Sequence, residues 1–345
     1  MTSVRWPAEW EPHAATWLAW PHNPDTWPSR LARAQSQFAV FVRELSFREP
    51  VRVLVGDAAM QDAARSAIVA AGADADRVAF HAVPTDDAWL RDSGPVFVVR
   101  AGRRMLVDFP FDSWGGKYPP WDRDAAVPRA LERETGLPRI ETDFVLEGGA
   151  VDGDGSGTLL TTESCLLNEN RGAGRTRQEM ETRLAEWLGA RRVLWLAAGI
   201  AGDDTDGHVD GVARFVAPGT VVAAVCDVAD ENRAPLAENL RRLRSNRDAD
   251  GALLTVAELP MPPPVVIEGV RCPATYANFV FANGAVLVPT FGVVQDAEAL
   301  GVFGELLPGR DVVGIPSGDL VLGLGALHCL SQQEPVQPLG IARPA

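Results

Sequence analysis

The chain has 345 residues, 46% hydrophobic and 23% charged, the balance of a folded protein long enough for one large or two ordinary domains. A formal net charge of −14 argues against nucleic acid and anionic membrane as partners and favours a small cation. No apolar run approaches the roughly 20 residues of a membrane span. The opening MTSVRWPAEWEP lacks the apolar core of a secretory signal, so a cytoplasmic location is expected.

Residues 13–20 read as a short strand, ended by Pro21, Pro24 and Pro28. A helix is expected over 29–47, with Leu31, Ala34, Phe38, Phe41, Val42 and Leu45 at helical spacing. Strand 51–55, helix 58–71 and strand 77–83 follow. A hairpin of 96–99 and 105–109 then leads to a helix near 124–135 and a strand near 140–145. The same order recurs three times: hairpin 149–152/158–167, helix 176–188, strand 192–196; hairpin 210–216/221–228, helix 235–244, strand 253–259; hairpin 276–281/285–291, helix 298–307, strand 312–315. Asn283-Gly284 between apolar runs is the strongest of these turn signals. A strand around Cys329 opens a fifth unit, which the N-terminal strand and helix would close. The helix–strand pair at 58–83 has no place in this scheme.

Units repeated at intervals of about 50 to 70 residues imply radial repetition, because none can bury its apolar face alone. A ring gathers equivalent strand starts around one axis. A two-domain doubly wound fold would need long crossovers and no run of hairpins, so an α/β ring formed by one domain over 1–345 is the preferred architecture.

The repeat places chemistry at one phase. At or just before the first strand of successive units stand Asp92, Glu147, His208 with Asp210, and Cys329, while the fourth unit offers neutral Asn278. In an extended strand His208 and Asp210 leave on the same face. His328 and Cys329 point to opposite faces, which makes His328 a poor base for that sulfur. The four Cys, at 165, 226, 272 and 329, form no C-x-x-C pair, and a reducing compartment predicts no disulfide. Cys329 stands apart, in an apolar run loosened by Gly323 and Gly325 and followed by Ser331, Gln332 and Gln333.

A thiol has an intrinsic pKa of about 8.5, lowered by a neighbouring cation. Among so many carboxylates that cation is most simply the substrate. Guanidinium fits: it is planar, permanently charged, and donates in a fork that two carboxylates match. Asp92 and Asp210 would hold its nitrogens while Cys329 attacks the central carbon. His208 would protonate the departing ammonia and then activate water, with Glu147 orienting His208 or the water. On this reading Cys329→Ser abolishes turnover and Cys165→Ser spares it.

Seven blocks carry a resemblance: DDAWLRDSGP (86–95), WGGKY (114–118), FVLEGG (144–149), TLLTTESCLLNENR (158–171), DTDGHVD (204–210), NFVFANG (278–284) and HCLSQQ (328–333). In this order they resemble the agmatine deiminases, within the Porphyromonas-type peptidyl-arginine deiminase family. The resemblance implies a five-fold pseudosymmetric α/β propeller, no metal or organic cofactor, and hydrolysis of agmatine to N-carbamoylputrescine and ammonia. It also implies a nucleophile at Cys329, acid–base work at His208, guanidinium contacts at Asp92 and Asp210 with Glu147 in support, and assembly as a homodimer or larger. Trp89, Trp114 and Asp206 are candidates for contacts to the rest of the substrate. Leu324 interrupts the family's glycine run, and Ala326 stands where Asn is expected.

Three rival readings remain. Asp152, Asp154, Ser156 and Glu163 have the spacing of a calcium loop, but β-type residues flank them, so a hairpin turn is expected. DDTDGHVD lacks a second His placed to join it in holding a metal. A non-catalytic cationic-amine binder would tolerate Ala at position 329, and a deiminase of free or peptidyl arginine would differ only in the far end of its substrate.

Overall fold

Turn chemistry starts each unit. Ala101 and Gly102 both hold positive φ, 51° and 73°, the type I′ geometry that suits the twist of paired strands. They join Val96–Arg100 to Arg103–Asp108 in an antiparallel hairpin, and Arg139–Glu141 then adds parallel to the second strand. The computed structural model describes residues 4–226 and 229–337, and this plan recurs in five of its sheets. The second sheet is Val151–Gly153, Thr158–Thr162 and Arg192–Leu196. The third is Ala213–Ala217, Thr220–Val225 and Thr255–Pro260. The fourth is Val280–Ala282, Ala285–Thr290 and Asp311–Pro316. The fifth joins both ends of the chain: Ser331–Pro335 pairs antiparallel with His13–Ala19, which lies parallel to Val51–Val55. These sheets are separate and open, and none closes on itself among the described residues.

The helix–strand pair left over by the sequence reading finds its place here. Helix Ala58–Ala70 leads into Val78–Ala82, which extends the fifth sheet as a fourth strand parallel to Val51–Val55. A small hairpin, Val265–Ile267 with Val270–Cys272, is inserted between the third and fourth sheets.

Helices cover the sheets with one apolar stripe each. On Leu31–Ser46, Ala34, Phe38, Phe41, Val42 and Leu45 are fully buried. Truncating a buried Phe of this kind costs about 3–5 kcal/mol. Arg177–Leu188 begins with a capping box between Thr176 and Glu179 and stops at left-handed Gly189. The helix expected over 124–135 is two pieces, Asp122–Ala125 and Val127–Thr135, because Pro128 lacks the N–H needed inside a continuous helix and instead sits in a first turn.

Several first strands start later than the apolar pattern suggests. The third begins at Ala213 rather than at 210, and the fourth at Val280 rather than at 276. The residues in between form short turns leading to the site. The strand expected over 221–228 ends at Val225, and positions 227 and 228 lie outside the described residues. The calcium-like spacing is a hairpin turn: Asp154 Oδ1 accepts from the N–H of Ser156 and Thr158, at 2.7 and 2.9 Å. Asp152 bonds Arg214 Nε and the Phe215 N–H. No helix among the described residues is long and apolar enough to cross a membrane.

Candidate active site

Each unit delivers its polar residue from a turn just ahead of its first strand. Asp92 lies in the short helix Leu90–Ser93, and Glu147 caps the turn Gly148–Ala150. His208 caps the turn Val209–Gly211, which contains Asp210. Asn278 precedes Val280, and Cys329 precedes Ser331. His208 and Asp210 are therefore brought together by a tight turn, not by one face of an extended strand. Asp206 and Gly207, at φ 66° and 106°, set the direction of entry into it.

Gly149 lies where these groups meet. A Cβ there would stand 2.6 Å from His208 Nδ1, 2.9 Å from Asp92 Oδ1 and 3.1 Å from Asp210 Oδ2. Only glycine lets its backbone enter this space, and its N–H donates to Asp92 Oδ1 at 2.9 Å. Asp92 Oδ2 accepts from Trp114 Nε1 at 3.1 Å and lies 3.8 Å from His208 Nδ1. The Cys329 sulfur accepts from Asn278 Nδ2 at 3.1 Å and lies 3.6 Å from Asp210 Oδ2. Asn278 Oδ1 also accepts the His328 N–H at 3.0 Å, so the neutral residue of the fourth unit positions the turn that carries the sulfur.

The charges are set by burial and by one another. Burial pushes the Asp92 carboxyl up to about 6, opposed by His208 and reinforced by Asp210 and Glu147. Burial works against ionisation of Asp210, but the His328 bond and the His328, His208 and Arg214 charges together outweigh it and hold this carboxyl below its ordinary value. Burial likewise opposes a charge on His208, yet Asp92, Cys165 and Glu147 hold its pKa well above that of a free imidazole. Burial, then the Asp210 and Asp92 carboxylates, push the Cys329 thiol well up. The resting sulfur is a thiol facing acids, and a cation arriving beside it favours the thiolate.

Asp92 and Cys329 open onto a cavity of about 670 Å³, which Trp89 and Trp114 also line. The Trp89 ring packs where Gly323 and Gly325 have no side chains: a Cβ on Gly325 would stand 2.6 Å from it. Leu324, between the two, adopts φ 68° and faces the same cavity. Asp25, Asp86, Asp87, Asp124 and Asp204 contribute to the wall, where Lys117 is the single Lys or Arg among the described residues. Lys117 is itself held by the Asp204 carbonyl and by Asp206 Oδ1. Asp206 is absent from the cavity wall, and its carboxylate is taken by Lys117, Asn170 Nδ2 and Arg171. Arg171 in turn donates from Nε to both Glu147 oxygens, at 3.0 and 2.8 Å.

Behind Asp210 lies a network that the sequence reading did not foresee. His328 Nδ1 is 2.7 Å from Asp210 Oδ2, and its Nε2 is 3.0 Å from Glu9 Oε2. Glu9 pairs with buried Arg214, which also holds Asp152 Oδ1 at 3.0 Å. His328 therefore meets the same Asp210 oxygen as the thiol and orients that carboxylate. Nothing in the N-terminal segment around Glu9 marks it as a partner for residue 328. Asn278 and Arg171 lie within motif blocks, and only Asn278 has apolar flanks, Ala277 and Phe279, to hint at its burial. Cys165, treated above only as a control thiol, is fully buried with its sulfur within 4.8 Å of His208 and Glu147 ligand atoms.

The agmatine deiminase of Ectopseudomonas mendocina is 39% identical over 95% of this chain and 95% of its own, and that of Pseudomonas aeruginosa is 38% identical over 96% and 95%. The solved agmatine deiminase of Enterococcus faecalis superposes with a TM-score of 0.90 at 34% identity, covering 97% of this chain and 96% of its own. A Cys-to-Ser variant of the C. jejuni agmatine deiminase, with substrate bound, superposes at 0.88 and 31%, covering 97% of each chain. The family model of Porphyromonas-type peptidyl-arginine deiminases matches residues 5–335, and the chain belongs to that family.

Proposed function

We propose that the protein is a hydrolase of C–N bonds that converts agmatine and water to N-carbamoylputrescine and ammonia. The observation that carries this reading is the meeting, around Gly149, of two carboxylates and an imidazole beside a half-buried thiol. Asp92 and Asp210 take the guanidinium nitrogens, and the arriving positive charge offsets the two fields that raise the Cys329 pKa. The thiol loses its proton to solvent, and the thiolate attacks the guanidinium carbon. His208, protonated in the resting site, donates to one nitrogen, and ammonia leaves a covalent thiouronium. The now neutral His208 takes a proton from water as that water adds to the same carbon. Collapse expels the thiolate and yields the carbamoyl product. Glu147 and Arg171 keep the imidazole and its turn in place, Asp206 supports Arg171, and Trp89 and Trp114 wall the alkyl chain.

The acidic wall favours agmatine over arginine. The far end of agmatine is an ammonium, whereas free arginine would bring a carboxylate towards Asp25, Asp86, Asp87 and Asp204. The five sheets of like order, each sending one or two polar residues to the same region, support a five-fold pseudosymmetric propeller. Assay of ureido product from agmatine, arginine and a peptidyl arginine tests the reading. It expects turnover with agmatine and loss of that turnover in Cys329→Ser. Preference for arginine would overturn the substrate, and turnover by Cys329→Ser would overturn the mechanism.

A further inference from the structure

One buried cluster beside the reaction centre adds to His208 and Glu147 a thiol, Cys165, that the hydrolysis does not use. Cys165 lies in the short helix Glu163–Leu166, where its N–H donates to the Thr162 hydroxyl at 3.2 Å. Its sulfur, a Glu147 oxygen and a His208 ring nitrogen all lie within 4.8 Å of one another. Exposure of the three residues is 0%, 1% and 3%. Neither ring nitrogen of His208 has a hydrogen-bond partner among the described residues, although both are buried. Glu147 Oε2 already stands 4.0 Å from His208 Nε2.

Thiolate, imidazole and carboxylate are the ligands Zn²⁺ takes, at roughly 2.0 to 2.3 Å each. Small side-chain rotations would draw the donors inward by about 1 Å to reach those lengths. Arg171 occupies part of the Glu147 carboxylate, but two oxygens offer about four acceptor directions, and Arg171 then orients a ligand from outside. The carboxylates of Asp92, Asp210 and Glu147 that favour a proton on His208 favour any cation in its place.

The geometry points to Glu147, Cys165 and His208 as an inhibitory site for a thiophilic divalent cation, with Zn²⁺ the best match. Binding forms metal bonds to sulfur, nitrogen and oxygen and releases the Cys165 thiol proton and the imidazolium proton to solvent. A metal on the ring keeps His208 from becoming imidazolium, the form that donates to the leaving nitrogen. The inhibition rests on the role given to His208 above, while the binding does not.

Two measurements separate those statements. Untagged Cys329→Ser protein, titrated with Co²⁺ under anaerobic conditions, is expected to show a near-ultraviolet thiolate-to-cobalt band saturating at one metal per chain. That band should be lost in Cys329→Ser/Cys165→Ser and displaced by Zn²⁺. Thermal unfolding of the double variant confirms that it is folded, and Glu147→Gln in the Cys329→Ser background, which keeps the thiol, should weaken Co²⁺ binding at least tenfold. In the chain with Cys329 intact, Zn²⁺ should inhibit turnover reversibly on chelation. Its inhibition constant should rise at least tenfold in Cys165→Ala, each rate being normalised to the same variant without metal. Absence of the band, or its persistence without Cys165, overturns the site. Zinc inhibition unchanged in Cys165→Ala overturns its inhibitory role and places the metal on Cys329.

Discussion

Two clusters of buried charge meet at His328, and they are built on opposite plans. On one side Glu9, Asp152 and Arg214 match carboxylates to a guanidinium, and burial that opposes the Glu9 charge is outweighed by Arg214 and His328. On the other side Asp92 faces the cavity and Asp210 the Cys329 thiol, with no Arg or Lys bonded to either among the described residues. One cluster is complete within the protein. The other is completed by a planar cation, and the difference separates a structural ion network from a binding site for guanidinium.

The sharpest way to break this contrast is to remove the sulfur. Cys329→Ala should lower kcat by at least about 10³-fold while agmatine still binds, because Asp92 and Asp210 are unchanged. Cys165→Ser should keep turnover within about tenfold, since it touches His208 but not the substrate. Equilibrium binding and steady-state rates on the same preparations check both.

Removing one charge from each cluster should then give opposite signatures. Asp92→Asn should cost about 2–5 kcal/mol in kcat/KM, a charged partner of a buried guanidinium being lost. Its folding stability should stay within about 1 kcal/mol of the parent, because the Asp92 charge is strained by burial in the free protein. Arg214→Met should instead lower folding stability by about 3–5 kcal/mol, leaving Glu9 and Asp152 buried without their cation. Urea unfolding curves beside kinetic assays read both signatures.

The pH profile sharpens the comparison further. Burial raises Asp92 to about 6, so kcat/KM should fall as pH drops through that value and the carboxylate gains a proton. Trp114→Phe removes a donor that favours the ionised form and should move this acid limb upward. The smallest expected effect is at Leu324. A bulky residue at φ 68° is strained by roughly 1–2 kcal/mol, and Leu324→Gly should recover about 1 kcal/mol of stability in the same urea assay.

Much of this arrangement was legible in the chain, for reasons that can be named. Two-residue turns such as Ala101-Gly102 and Asn283-Gly284 announce hairpins by local chemistry, and the repeat phase picked out Asp92, Glu147, His208, Asp210 and Cys329 before any contact was known. Local pattern could not show where strands give way to turns. The strands expected from 210 and 276 start only at 213 and 280, because Gly207 and the Asn278 hydrogen bonds hold the intervening stretches out of the sheets. Long-range partners were invisible for a related reason. Glu9 meets His328 and Arg214 only because both chain ends share the fifth sheet, and no spacing encodes that. Asp206 was expected at the substrate because it lies in DTDGHVD, whereas its carboxylate faces Arg171 and Lys117.

The most direct test of the account is acid quenching of the protein during turnover of agmatine, followed by peptide mass analysis. The account predicts an adduct equal to agmatine less ammonia, confined to the peptide carrying Cys329 and absent when substrate is omitted. Full turnover with that peptide unmodified at every quench time would contradict it.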